Sequence, residues 1–271
     1  MRIKESLPLL LAMDVGNTNI VIGIFRGEEI VADWRIATDS HSMPDEYAVL
    51  LSSLLGYYQL TMADVDDAII ASVVPKVTAN LREMLERYMK IEALVVGPGV
   101  ETGVRIVVDN PKEVGADRVV NALAAYRLYG GPAVVVDLGT ATTFDAVSAA
   151  GEYLGGAIAP GILTSVEALS RYTARLPRVD MARPSHAIGK DTFTAMQSGI
   201  ILGHAAMVEG MVRRIAAELE GEPRVVATGG LCAVIAAEVP LIQVADKNLT
   251  LKGLRMMYDL NRPRGVAGPE S

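Results

Sequence analysis

The chain carries a single cysteine, Cys232, among 271 residues. An internal disulfide is therefore excluded, and a reducing compartment fits. Histidine is nearly as scarce, and His41, His186 and His204 are too scattered for zinc-type spacing. No apolar run approaches the roughly 20 residues of a membrane helix. The opening MRIKESLPLLLAM resembles a secretory leader, but Glu5 interrupts its basic stretch and no small-x-small cleavage site precedes Asp14. A soluble, cytoplasmic protein is expected. Positive charge is also in deficit, with 25 Lys and Arg against 32 Asp and Glu and a net charge of −7. That balance opposes general phosphate-backbone binding, so neither nucleic acid nor a membrane is an expected partner. Also missing are Gly-x-x-x-x-Gly-Lys-Ser/Thr, the protein-kinase signatures, and the helix that a dinucleotide fold needs after its first glycine loop.

Half of the residues are hydrophobic, enough for one large core or for two domains of about 130 residues. Residues 9–13, 20–25 and 29–36 read as an antiparallel meander. Pro44 opens a helix that ends near Gly56, and DDAIIASVVP suits a buried parallel strand. Pro75 then opens KVTANLREMLERYMK, with Val77, Leu81, Leu85 and Tyr88 at helical spacing, and IEALVVGPG returns to strand. A helix is expected after Asn110-Pro111, closing at Gly130-Gly131. Beyond GEYLGGAIAPGI lie a long helical stretch through Leu219, strands in RVVAT and LIQVAD, and a final helix near LTLKGLRMMYDL. The polar tail 261–271 is expected to be disordered.

Two segments resemble each other: AMDVGNTNIVIGIF and VVDLGTATTFDAVS. Each places Asp-x-Gly and then a hydroxyl between two apolar runs, 123 positions apart (137 − 14). One such turn is an ordinary hairpin, where Gly and Asn supply φ > 0. Recurrence at half the chain length points to a duplicated domain. A glycine-containing β-turn can aim backbone N–H groups at an anion, and Asn17, Thr18, Thr140 and Thr142 add donors. An Asp beside such a cradle repels phosphate unless a cation lies between them, as Mg²⁺ does. Two such loops, one from each domain, are expected to grip a polyphosphate.

DVGNTN and DLGTATT look like the two phosphate motifs of the acetate kinase, sugar kinase, chaperone and actin superfamily. Within it, the order and spacing of DVGNTN at 14–19, GADR at 115–118, DLGTATT at 137–143, GGAIAPGI at 155–162 and MQSGI at 196–200 resemble the type III pantothenate kinase family. The resemblance implies an α/β fold of two duplicated ribonuclease-H-like, actin-like domains hinged around a cleft, here 9–115 and 116–260. It implies ATP-dependent phosphorylation of pantothenate, the first step of coenzyme A synthesis. It also implies a divalent cation such as Mg²⁺, a requirement for K⁺ or NH₄⁺, and a homodimer.

Residue roles carry over motif by motif. Asp117 would be the general base; alone it would pass for a helix-surface carboxylate. Arg118 would bind the substrate carboxylate, with Gly115 and Ala116 leaving room for substrate and Thr192 touching pantothenate. Asp14 would orient Mg²⁺ through water, while Gly16, Asn17, Thr18, Asn19, Ile20 and Val21, with Val15, would lie under the ATP phosphates. Asp137 would bind the monovalent cation, although a strand-end Asp also caps its own turn. Thr140 would contact ATP, and Gly229-Gly230 would pack against adenosine or simply turn the chain. Two positions depart from the family: Val108 stands where a tyrosine is common, and Asp191 where Asn is common. Gly199, Gly203 and Gly210 interrupt a helix at about 1 kcal/mol each, so this helix is expected either to build the dimer interface or to pack tightly within one subunit. Rival readings are a kinase of another small hydroxylated metabolite, a non-catalytic regulatory or binding relative, and an acyl-phosphate or polyphosphate hydrolase.

Overall fold

The computed structural model describes residues 7–172 and 181–262. These form two compact units: 7–103 with 114–120 and 251–262, and Val104–Glu113 with Asn121–Thr250.

The first unit is built on β1 (Leu9–Val15), β2 (Asn19–Arg26) and β3 (Glu29–Ala37), the antiparallel meander, joined by β4 (Val65–Ser72) and β5 (Leu94–Val95). The strand order is β3-β2-β1-β4-β5, with β4 parallel to β1. Successive side chains of a strand face opposite ways. Leu9, Leu11, Met13 and Val15 therefore share a core with α1 (Pro44–Gly56) and α2 (Pro75–Met84), through Leu51, Leu55, Val77 and Leu81. Leu10 and Ala12 are buried on the opposite face. Burial of both faces explains the unbroken apolar run in β1.

Tyr88 does not join this core and is 41% exposed. Residues 85–89 form a π turn closed by a left-handed Lys90. The extra residue in the turn shifts the helical phase, so Leu85 stays inside while the Tyr88 hydroxyl donates to Asp45.

The second unit repeats the plan. After α3 (Ala116–Tyr129) come β6 (Ala133–Leu138), β7 (Ala141–Val147) and β8 (Tyr153–Pro160), then α4 (Ile162–Tyr172), α5 (Thr192–Ala216), β9 (Arg224–Thr228), α6 (Cys232–Ala236) and β10 (Val244–Ala245). The order β8-β7-β6-β9-β10 matches that of the first sheet strand for strand. The duplicated α/β architecture expected from the paired turns is the one observed. Val134, Val136 and Leu138 face α5 and α6, while Val135 and Val226 face Ala124 and Ala125 of α3.

The chain closes with α7 (Leu249–Asn261). Its Leu251 fills the space over Gly23, where a Cβ would lie 2.8 Å from Leu251 Cδ1. Asn261, expected at the start of a disordered tail, is instead held: its amide donates to the Glu101 carbonyl and its Oδ1 accepts from the Glu101 N–H, both at 2.8 Å. Of the expected tail, 263–271 lie outside the described residues.

Candidate active site

In the first unit the turn after β1 begins where Val15 pairs with Ile20 and Asp14 with Val21. The Gly16 N–H donates to the Asn19 carbonyl at 3.0 Å. Gly16 does not take a left-handed φ, so the ordinary hairpin explanation for this glycine fails; a Cβ would instead crowd Asn19 O at 3.2 Å. Thr38, just past β3, clamps the turn: its hydroxyl donates to Gly16 O at 2.7 Å and its N–H to Thr18 O at 2.9 Å. Asn17 and Thr18 are exposed, and Asp14 is half-buried. Asp14 shares the parity of Leu10 and Ala12, on the face away from α1 and α2.

Gly115, Ala116, Asp117 and Arg118 make the first turn of α3 and are all half-buried. Asp117 Oδ1 accepts from the Arg118 N–H at 2.9 Å, and a Cβ on Gly115 would lie 2.5 Å from that oxygen. The space left by Gly115 is thus occupied by the Asp117 carboxylate. A carboxylate in a first helical turn also suits the helix dipole.

In the second unit Asp137 pairs with Thr228 across parallel strands. Asp137 Oδ2 accepts from the buried Asn121 amide at 3.1 Å, and Asn121 Oδ1 accepts from the Thr250 hydroxyl at 2.8 Å. Gly229, at φ +89°, leaves room for Asp137: a Cβ there would be 2.7 Å from Asp137 Oδ1 and from the Leu138 carbonyl. Gly230 follows it, exposed. The turn carrying Thr140 is closed by the Gly139 N–H donating to Ala141 O at 3.0 Å. The Thr140 carbonyl accepts from the Thr164 hydroxyl at 2.7 Å and from the Gly161 N–H at 3.1 Å. Thr142 is buried against His204, Oγ1 to Nε2 at 2.9 Å. Burial holds the His204 imidazole below its ordinary pKa.

Val108 belongs to a segment that pairs with the edge of β8 through Ile106 and Tyr153, and its Cγ1 would lie 3.5 Å from a Cβ on Gly155. Thr192 starts α5, exposed, directly after the N-cap Asp191, whose carboxylate accepts from the Thr194 N–H at 2.8 Å. That bond and the Thr194 hydroxyl lower the Asp191 pKa. Within each unit the structure thus groups Asp14–Val21 with its clamp, Asp117 with Gly115 and Arg118, and Asp137 with Gly229. Thr38, Thr164, Asn121 and Thr250 were missed by motif reasoning. Only Asn121 left a signal, a polar residue one helical turn beyond Asp117 in an otherwise apolar stretch. Among the described residues there is no cluster of three or more His, Cys, Asp or Glu that could hold a metal, and no helix long and apolar enough to cross a membrane.

A model of the family described as type III pantothenate kinase matches residues 10–214. The chain belongs to the type III pantothenate kinase family. Proteins of that name from Moorella thermoacetica and Streptomyces coelicolor are 52% identical over 253 residues and 53% over 264, covering 93% and 94% of this chain and 100% of each relative. Among solved structures, the ethanolamine utilization protein EutJ from Carboxydothermus hydrogenoformans is similar at TM-score 0.55 and 15% identity, over 92% of this chain and 90% of that one. The activator of 2-hydroxyisocaproyl-CoA dehydratase from Clostridium difficile, solved with bound ADPNP, follows at 0.54 and 14%, over 91% of each. These likenesses show an actin-like fold. Asp191 serves as the N-cap of α5, a role Asp and Asn fill equally well. Val108 brings methyl groups where a phenol would bring a hydroxyl.

Proposed function

We propose that the chain transfers the γ-phosphoryl group of ATP to the hydroxyl of pantothenate, giving 4'-phosphopantothenate for coenzyme A synthesis. Membership of the family supports the reaction. The residue assignment is carried by one observation: Asp14 and Asp137 end the central strands of two matching sheets, each followed by a turn closed through a glycine N–H and clamped by a threonine hydroxyl.

Phosphoryl transfer asks little covalent chemistry of the protein and depends on positioning and charge. The Asp14–Val21 turn offers backbone N–H groups and the exposed Asn17 and Thr18 side chains to the phosphates. Asp14 would hold Mg²⁺ through water, lowering the repulsion between its own charge and the nucleotide. Thr140 and Gly229-Gly230 would contact the nucleotide. Asp117 accepts the proton of the pantothenate hydroxyl as its oxygen bonds to the γ-phosphorus and the bond to ADP breaks. The Arg118 N–H bond holds the carboxylate for that task. The Arg118 guanidinium pairs with the substrate carboxylate, with Gly115, Ala116, Val108 and Thr192 bordering the rest of pantothenate.

Asp137 would hold K⁺ or NH₄⁺, which supplies positive charge for nucleotide binding. The donor set fits a hard cation. Thr228 Oγ1, on the same sheet face as Asp137, is buried with no hydrogen-bond partner among the described residues. A homodimer built through α5 is part of the same reading. Gly199, Gly203, Ala206 and Gly210 are exposed along one stripe, and a Cβ on any of the three glycines would meet nothing within 4 Å. Cytoplasmic residence fits a soluble metabolic kinase.

A coupled ADP-release assay with pantothenate, run in K⁺ and in Na⁺ alone, tests the whole reading. Turnover in K⁺ that collapses in Na⁺ supports it. A folded protein inert in both would point to the non-catalytic relative, and turnover only with another hydroxylated metabolite to a different kinase.

A further inference from the structure

The residues behind Asp137 carry a role that the motifs do not reveal. On β6 the side chains alternate, so Val135 and Asp137 share the face turned to α3, as do Val226 and Thr228 on β9. At the carboxyl end of those strands this layer changes from apolar to polar. Val135, Val226, Ala124 and Ala125 give way to Asp137, Thr228, Asn121 and Thr250. Asn121 is 1% exposed. A buried primary amide is costly unless both its ends are bonded. Here both are, with Nδ2 donating to Asp137 Oδ2 and Oδ1 accepting from Thr250 Oγ1.

The acceptor-only Asp137 carboxylate decides which end of Asn121 meets it, because a flipped amide would set oxygen against carboxylate; the Thr250 hydroxyl then donates to the Oδ1 on the far side and braces the amide. A neutral amide also orients the carboxylate without cancelling its charge, as Lys or Arg would. With Oδ2 held, Oδ1 is turned toward Gly229, where a Cβ would lie 2.7 Å away.

We propose that Asn121, with Thr250 behind it, is a positioning residue for the monovalent-cation site: it fixes the Asp137 carboxylate in the orientation that receives the cation. The inference rests on the reading of Asp137 as the cation ligand. The experiment is a K⁺ titration at ionic strength held constant with tetramethylammonium chloride, on the full chain and on Asn121→Ala and Thr250→Val. Two quantities are followed: the thermal midpoint and the steady-state rate at saturating ATP and pantothenate.

Asn121→Ala is expected to need about tenfold more K⁺ to reach half of each response, and Thr250→Val about threefold more. Added K⁺ should then restore the rate toward that of the unsubstituted chain. A merely structural Asn121 would lower the thermal midpoint equally at every K⁺ concentration, and that result overturns the proposal. If Asn121→Ala does not fold, Thr250→Val decides, because it removes one hydroxyl at nearly constant shape, and an unchanged K⁺ requirement there is fatal. An unsubstituted chain indifferent to K⁺ would remove the Asp137 reading and this inference together. A K⁺-responsive chain with unresponsive variants removes the inference alone.

Discussion

Thr38 donates its hydroxyl to the Gly16 carbonyl at 2.7 Å, across 22 residues of chain, and ties the end of β3 to the turn that follows Asp14. Thr164 does the same for Thr140 in the second sheet. Thr38→Val keeps the shape and removes the donor. It should cost about 1 kcal/mol of stability and raise the KM for ATP several-fold, with the KM for pantothenate little changed. Equal effects on both KM values would speak against a phosphate role for this turn.

Asp117 and Gly115 form a second linked pair. Asp117→Asn removes the proton acceptor and should cut kcat by about 10²–10⁴-fold while leaving ATP affinity near normal. Gly115→Ala puts a methyl 2.5 Å from the present position of Asp117 Oδ1, so the carboxylate must move and kcat should fall as well. Near-normal turnover in Asp117→Asn would reassign the base.

Val108 offers a gain-of-function test. Val108→Tyr supplies the phenol common in the family and should lower the KM for pantothenate by about fivefold, the worth of one hydrogen bond of about 1 kcal/mol. An unchanged KM would mean that the segment at the β8 edge lies away from substrate.

His204 predicts a pH dependence. Its folded pKa is lowered by burial from 6.5, so the neutral ring is the native form. As pH falls, the unfolded chain takes up the proton first. The contribution is therefore complete above about pH 6.5 and is lost as pH drops through the window below it. Thermal melts between about pH 7.5 and 5.5 should show the chain losing more stability on acidification than His204→Gln; parallel profiles would exclude His204 as a source.

The glycine stripe on α5 separates two outcomes by sign. If that face meets a second copy, Gly203→Leu should convert the dimer to monomer by light scattering. On a helix face open to water the same change would raise the thermal midpoint, since Gly costs up to about 1 kcal/mol relative to good helix formers.

Much of the architecture was legible in the residues. The recurrence of Asp-x-Gly between apolar runs announced a duplicated domain, seen as two matching sheets, and Pro44 and Gly56 marked the two ends of α1. The edges were not legible. IEALVVGPG and LIQVAD read as full strands, yet β5 and β10 pair over two residues each, because the length of a ladder is set by its partner as well as by its own propensity. Tyr88 was misread because a π turn changes the helical period without changing the composition.

What the sequence determined alone was local: which positions alternate, where the chain must turn, and which polar residues sit at those turns. Tertiary structure decided who meets them. Thr38 reaches Gly16, Asn121 reaches Asp137, and Thr250 reaches Asn121 only once distant segments are brought together. Periodicity reports that a side chain faces inward, whereas the hydrogen bond that gives it a task depends on which element packs opposite.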